Sequence, residues 1–146
     1  MIPRGKVIKV YKGKEKIKKL IADFTKAQKK GDIVYSFGYE DKFDIALGKS
    51  WWGGLRKIKS AHTKFRGVFS WHARARIPSQ ARAKTRYIKA GRGNIEIAIW
   101  RDTVRVFVLT KTNPYAVLIK DAEVARGLKH CWKFLWQCGR EAKRKL

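Results

Sequence analysis

The chain has 146 residues, with 36 Lys and Arg against 11 Asp and Glu, a formal charge of +25 at pH 7. One domain with a sizeable core suits that length, and the charge excludes a self-balanced surface. So many unmatched cations repel one another, whereas a polyanion removes the repulsion and releases counterions, which makes nucleic acid the natural partner.

In chain order, Lys6 to Tyr11 alternates as a strand, and Gly13 turns the chain into a helix from about Lys14 to Gln28. Ile17, Leu20, Ile21 and Phe24 recur there at helical spacing, with lysines on the other side. Gly31-Asp32 stops that helix, and Ile33 to Phe37 forms a second strand. A strand–helix–strand unit favours parallel pairing of its strands through a right-handed crossover. From Gly38 to Gly93 the pattern weakens: Trp51-Trp52-Gly53-Gly54 reads as a turn with exposed or half-buried indoles. Gly67 to Trp71 reads as a short strand or a helix start, and Pro78 opens or breaks its surroundings. Strands follow at Ile95 to Trp100 and Val104 to Thr110, joined by a link at Arg101-Asp102-Thr103 short enough for a hairpin, and a further strand at Tyr115 to Lys120. The last helix is the clearest element, with Asp121 as its cap and Gly139 as its end. Val124, Leu128, Cys131, Trp132 and Leu135 make its apolar stripe, bordered by Trp136. The chain thus reads as a single α/β domain over residues 1–139, with a fraying basic tail at 140–146.

No stretch has the character of a signal peptide or a membrane span. Cys131 and Cys138 lie seven apart on the expected helix, about 10 Å, too far for a disulfide, so the protein reads as reduced and cytoplasmic. The three histidines are scattered, so neither a metal site nor a cofactor is indicated.

Ile45 to Ile95 contains no Asp or Glu, yet holds Lys49, Arg56, Lys57, Lys59, Lys64, Arg66, Arg74, Arg76, Arg82, Lys84, Arg86, Lys89 and Arg92. A positive field with no internal neutralisation suits phosphate contact, and arginines donate bidentately. A heat-adapted surface is the plainer reading, and the few Asn and Gln fit a hot host, but heat adaptation adds Glu along with Lys. Trp51, Trp52, Phe65, Phe69, Trp71 and Tyr87 are interleaved with the cations. Most suit core packing, and Trp51, Trp52 and Trp71 are the candidates for stacking on bases. A second basic set, Lys12, Lys14, Lys16, Lys18, Lys19, Lys26, Lys29 and Lys30, surrounds the first helix as a solvated or supporting phosphate surface. His62 and His72 have no carboxylate in their segment to orient them, which argues against acid–base catalysis.

Val10 to Ile17, then Ile33 to Gly38, then Pro114 to Asp121 and a helix closing on Phe134-Leu135-Trp136 resemble the effector domain of archaeal TrmB-like transcription regulators. The resemblance covers roughly residues 7 to 138 and is weakest between 45 and 90. It implies an α/β, phospholipase-D-like fold: a mixed sheet with helices on both faces, in a domain that pairs with a second copy. Such regulators carry a winged-helix domain ahead of this one. None precedes Met1, so DNA contact is expected from this domain itself. Their sugar-binding residues find no match here. Phospholipase-D-type nucleases carry His-x-Lys with an Asp five residues after the Lys, and those places read Asn94, Glu96 and Arg101. His62-Thr63-Lys64 repeats the spacing, but Phe69 stands at the Asp place. The expectation is therefore a non-enzymatic nucleic-acid-binding protein, DNA before RNA, serving regulation or replication on an archaeal mobile element. A divergent nuclease and an RNA-binding protein are the alternatives.

Overall fold

The computed structural model describes residues 2–39, 42–75 and 83–141, with the side chains of 56–62, 74, 75 and 83 outside that description. The elements are β1 (Val7–Lys12), α1 (Lys14–Ala27), β2 (Ile33–Gly38), α2 (Phe43–Leu47), α3 (Lys49–His62), β3 (Lys64–Ser70), a 3-10 helix (Trp71–Ala75), β4 (Ala83–Ile88), β5 (Ile95–Trp100), β6 (Thr103–Val108), β7 (Tyr115–Lys120) and α4 (Ala122–Cys138). Seven strands form one mixed sheet in the order β1-β7-β6-β5-β2-β3-β4. Neighbours from β1 to β2 pair antiparallel, whereas β2, β3 and β4 pair parallel. This is a single α/β domain with helices on both faces.

The strand alternation divides the side chains between two unlike cores. On one face Ile17, Leu20 and Ile21 of α1, Phe43 and Leu47 of α2 and Trp52 of α3 pack on Val34, Ala98, Phe107 and Ala116. On the other face α4 packs Val124, Ala125 and Leu128 on Ile97, Ile99, Val104, Val106 and Ile119. Asp121 caps α4 by accepting from the Glu123 and Val124 amides. The β5–β6 hairpin turns through two residues, Arg101 and Asp102, with Arg101 at φ 55°.

Side chains on the α4 face line up in register across the sheet. One row runs Ile8, Ile119, Val104, Ile99, Tyr35, Arg66, Lys84; the next runs Val10, Val117, Val106, Ile97, Phe37, Val68, Arg86. A third begins Lys12, Tyr115, Val108, Ile95. Apart from Lys12, these rows are apolar from β1 to β2, and on β3 and β4 they carry Arg66, Lys84 and Arg86 around the buried Val68. Starting just after β7, α4 crosses this face obliquely over β6, β5 and β2 and ends against β4, where Arg86 Nη1 donates to the Trp136 carbonyl at 2.8 Å. The crossing leaves two corners uncovered, one apolar on the β1 side and one basic on the β4 side.

Several expectations change. The ends of the strand–helix–strand unit do not pair: β1 and β2 run in the same direction, but β7, β6 and β5 lie between them, because α1 carries the chain over most of the sheet. Trp51-Trp52-Gly53-Gly54 is not a turn but the first half of α3. Burial of Trp52 and packing of Trp51 and Leu55 outweigh the weak helix propensity of the glycines. Strand β4 and helix α2 were not anticipated, and Pro78 lies outside the described residues. Cys131 is exposed rather than part of the buried stripe; Trp132 is buried as expected, and Ala125 joins it. Arg140 is not frayed: its amide donates to Tyr87 O at 2.9 Å and its carbonyl accepts from the Tyr87 amide at 2.8 Å, so the chain leaves α4 along the outer edge of β4.

Candidate nucleic-acid interface

The basic corner is assembled by register. Parallel pairing sets Arg66 beside Lys84 on adjacent strands, about 4.8 Å apart in the pairing direction. Like charges so close repel, and nothing in the fold requires them there. Lys64, paired with Ile33, extends the same side of β3, and both Lys64 and Lys84 are exposed. The wall of the corner is one flank of α4. Lys129 lies 4.5 Å from the centre of the Tyr35 ring, and Tyr35 is the register partner of Arg66. Lys133, one turn on, is exposed on that flank. Arg86 closes the corner, stacked at 4.3 Å on Trp136, which itself stacks on Trp132. The Trp136 carbonyl and ring hold this guanidinium in place, so it meets a ligand already oriented.

Two described carboxylates, Asp32 and Glu123, are engaged away from the corner. Asp32, at the start of β2, accepts from the Lys29 amide, the Trp100 indole and Arg101 on the α1 side of the sheet. The Lys29 amide first, then Trp100 and Arg101, hold its carboxyl below the ordinary value against a smaller upward push from burial. Glu123 is paired with Arg126 at 2.8 Å. The lysines of α1 differ in this respect: Lys18 bonds Glu15 and lies over Trp51, and Lys19 faces Asp23.

Of the thirteen cations in the acid-free stretch, the structure brings Lys64, Arg66, Lys84 and Arg86 together. Lys49 is exposed at the start of α3, away from them. Lys89 and Arg92 lie on the loop between β4 and β5, both exposed. Arg56, Lys57 and Lys59 lie on α3 and Arg74 on the 3-10 helix, with side chains outside the described residues, as Arg76 and Arg82 are entirely. Lys129 and Lys133 were missed, because nothing in one sequence shows that α4 ends against β4. Among the stacking candidates, Trp52 is 9% exposed and stacked on Phe43, so the core takes its ring. Trp51 is half-buried against the same core, whereas Trp71 remains 39% exposed, edge-on to Tyr87.

Asn94, Glu96 and Arg101, expected at the places of the His, Lys and Asp of phospholipase-D-type nucleases, are engaged within the fold. Asn94 accepts from Lys42 Nζ at 2.8 Å. Glu96, on β5, is 3% exposed and accepts from Ser36 Oγ at 2.8 Å. Its charge faces Arg105, 2% exposed between the Phe24 and Phe107 rings. Burial pushes the Arg105 guanidinium down to about 10, against the upward pull of Glu96. His72 is exposed on the 3-10 helix, and the His62 side chain lies outside the described residues. Among the described residues no group of three or more His, Cys, Asp or Glu is placed to hold a metal, and no helix is long and apolar enough to cross a membrane.

Neither a family model nor a curated protein matches the chain. Solved structures do. NucT from Helicobacter pylori aligns over 94% of this chain and 99% of its own, with a TM-score of 0.67 and 9% identity. Nuc from Salmonella typhimurium, a phospholipase D family member, aligns over 94% and 98%, with a TM-score of 0.60 and 12% identity. The fold is phospholipase-D-like. TrmBL2, an archaeal chromatin protein whose structure shows a novel mode of DNA binding, shares that fold at a TM-score of 0.62 and 10% identity, over 93% of this chain but 55% of its own. The phospholipase-D-like likeness thus extends to NucT and Nuc as much as to TrmBL2. It singles out the fold and not the TrmB-like branch, and function rests on the residues themselves.

Proposed function

We propose that this protein binds nucleic acid, DNA before RNA, in the basic corner between α4 and the β3–β4 edge, and that it does so without cutting. The observation that carries the reading is the in-register pair Arg66 and Lys84 beside Lys64 and Lys129, with Asp32 and Glu123 engaged elsewhere. Adjacent cations on a sheet cost stability unless an anion is to lie across them, and a phosphate backbone supplies such anions at regular spacing. TrmBL2, which shares this fold over 55% of its length, is a DNA-binding chromatin protein, and that likeness supports DNA as the partner without locating the contact. Loss of the His-x-Lys pair and burial of Glu96 support binding without hydrolysis, in a regulatory or replication role on a mobile element. The protein acts as a pair of copies.

The test is a titration of duplex DNA, single strands and RNA at several salt concentrations. Affinity for duplex DNA should fall steeply with salt, about one unit of log–log slope per phosphate contact, and each of Lys64→Ala, Arg66→Ala and Lys84→Ala should reduce that slope by about one. A slope indifferent to all three substitutions would exclude the corner. Plasmid incubated with divalent metal should stay intact; cleavage lost in His72→Ala or His62→Ala would instead establish a divergent nuclease. Stronger competition by RNA than by duplex DNA would reverse the preference.

A further inference from the structure

The second uncovered corner lies on the other flank of α4 from the basic one. Its floor is Val10 of β1, Tyr115 of β7, Val108 of β6 and Ile95 of β5, joined in register, with Ile8 and Val117 beside them. Val10 is 54% exposed and Ile8, Tyr115 and Ile95 are similarly open, an unusual state for large apolar side chains on one sheet face. Its wall is the flank of α4 opposite Lys129, since Val124 and Leu128 pack toward Val106 and Ile119. Helical spacing places Cys131, Leu135 and Cys138 along that flank, and Phe134 crowns the helix at 67% exposure. Both cysteines are free and exposed.

We propose that this corner is the contact between two copies of the chain, each seating its α4 in the hollow beside the other's α4. Size supports a helix as the occupant. Seven strands spaced about 4.8 Å span roughly 29 Å, and one helix with its side chains covers about 10 Å. The face therefore has room for one helix more than the fold supplies. A second copy brings a helix whose exposed ridge, Phe134 with Cys131 and Cys138, itself lacks a floor. A hollow and a ridge side by side on one surface are what an isologous two-fold contact requires. Charge selects the same place: two chains of +25 can approach only where cations are few, and Lys12 is the only charged residue in the three rows between β1 and β5. The basic corners, on the far flank of each α4, stay open.

The inference names the surface for the self-pairing included in the proposed function, and rests on that pairing but not on nucleic-acid contact. Sedimentation equilibrium of the full chain, at salt high enough to screen the net charge, should give twice the chain mass. Val10→Lys with Tyr115→Lys, and separately Phe134→Lys, alter exposed positions. Each should leave the circular dichroism spectrum unchanged, weaken self-association at least about a hundredfold and yield monomers. Lys84→Ala should keep the dimer while weakening DNA binding. A wild-type monomer at tens of micromolar, or dimers unaffected by both sets of substitutions, would overturn the assignment whatever the DNA titration shows.

Discussion

At the scale of single residues, Glu96 and Arg105 are two charged side chains buried on adjacent strands, β5 and β6. Desolvation makes both groups costly to bury; the field of Glu96 offsets part of that cost for Arg105, Ser36 Oγ donates to Glu96, and the Phe24 and Phe107 rings flank the guanidinium. Arg105→Met alone should strand Glu96 and lower the unfolding free energy by about 3–5 kcal/mol in a urea titration, whereas Arg105→Met with Glu96→Leu should recover most of that loss. Equal destabilisation by the single and double variants would show that the two groups act independently. None of this was legible in the sequence, where Glu96 and Arg105 look like ordinary outward residues of two alternating strands. Their burial follows from α1 laying Phe24 over β6, a contact that the spacing of neither segment encodes.

At the scale of elements, the sequence was readable in two kinds of segment: helices α1 and α4, with one apolar face and one wet face, and strands β2, β5 and β7, short apolar runs that pack on both faces of the sheet. Their boundaries agree with the expected ones to within a residue or so. Helix α3 was hidden by Gly53-Gly54, and β4 by Lys84 and Arg86, whose alternation with Ala83, Thr85 and Tyr87 is a strand signal obscured by charge. The register that sets Arg66 beside Lys84 cannot be read from one chain, so the candidate site was legible in composition but not in membership. Gly67 shows how exacting the register is. The rings of Phe65 and Phe69 close over it, and a Cβ there would lie 2.5 Å from the Phe69 ring. At α4, burial pushes the Asp121 carboxyl up, but the Val124 amide, Lys6 and the Glu123 amide hold it below the ordinary carboxylate value. Its support for the fold is then complete above that ordinary value and is lost as pH falls through the lower, folded-state value. Asp121→Ala should lower the melting temperature by a few degrees at neutral pH, and the gap from wild type should close below about pH 4. A gap that persists into stronger acid would mean that the carboxylate is not what caps the helix.

At the scale of the whole molecule, the charge of +25 works against compactness, because five ion pairs are formed among the described side chains and most cations face water. Melting temperature should rise with ionic strength, and short DNA duplexes at low salt should raise it further; a melting curve insensitive to both would contradict self-repulsion as the dominant surface term. The division of the α4 face into an apolar side and a cationic side is the fold's main departure from a uniformly basic surface. The main-chain bridge between Arg140 and Tyr87 has a consequence of a different kind. Strand β4 is the last in the sheet, and its outward amides and carbonyls would template further strands from other molecules. Two hydrogen bonds from the segment after α4 occupy part of that rim, so a chain ending at Gly139 would be exposed to edge-to-edge stacking and a slow drift toward insoluble ribbons.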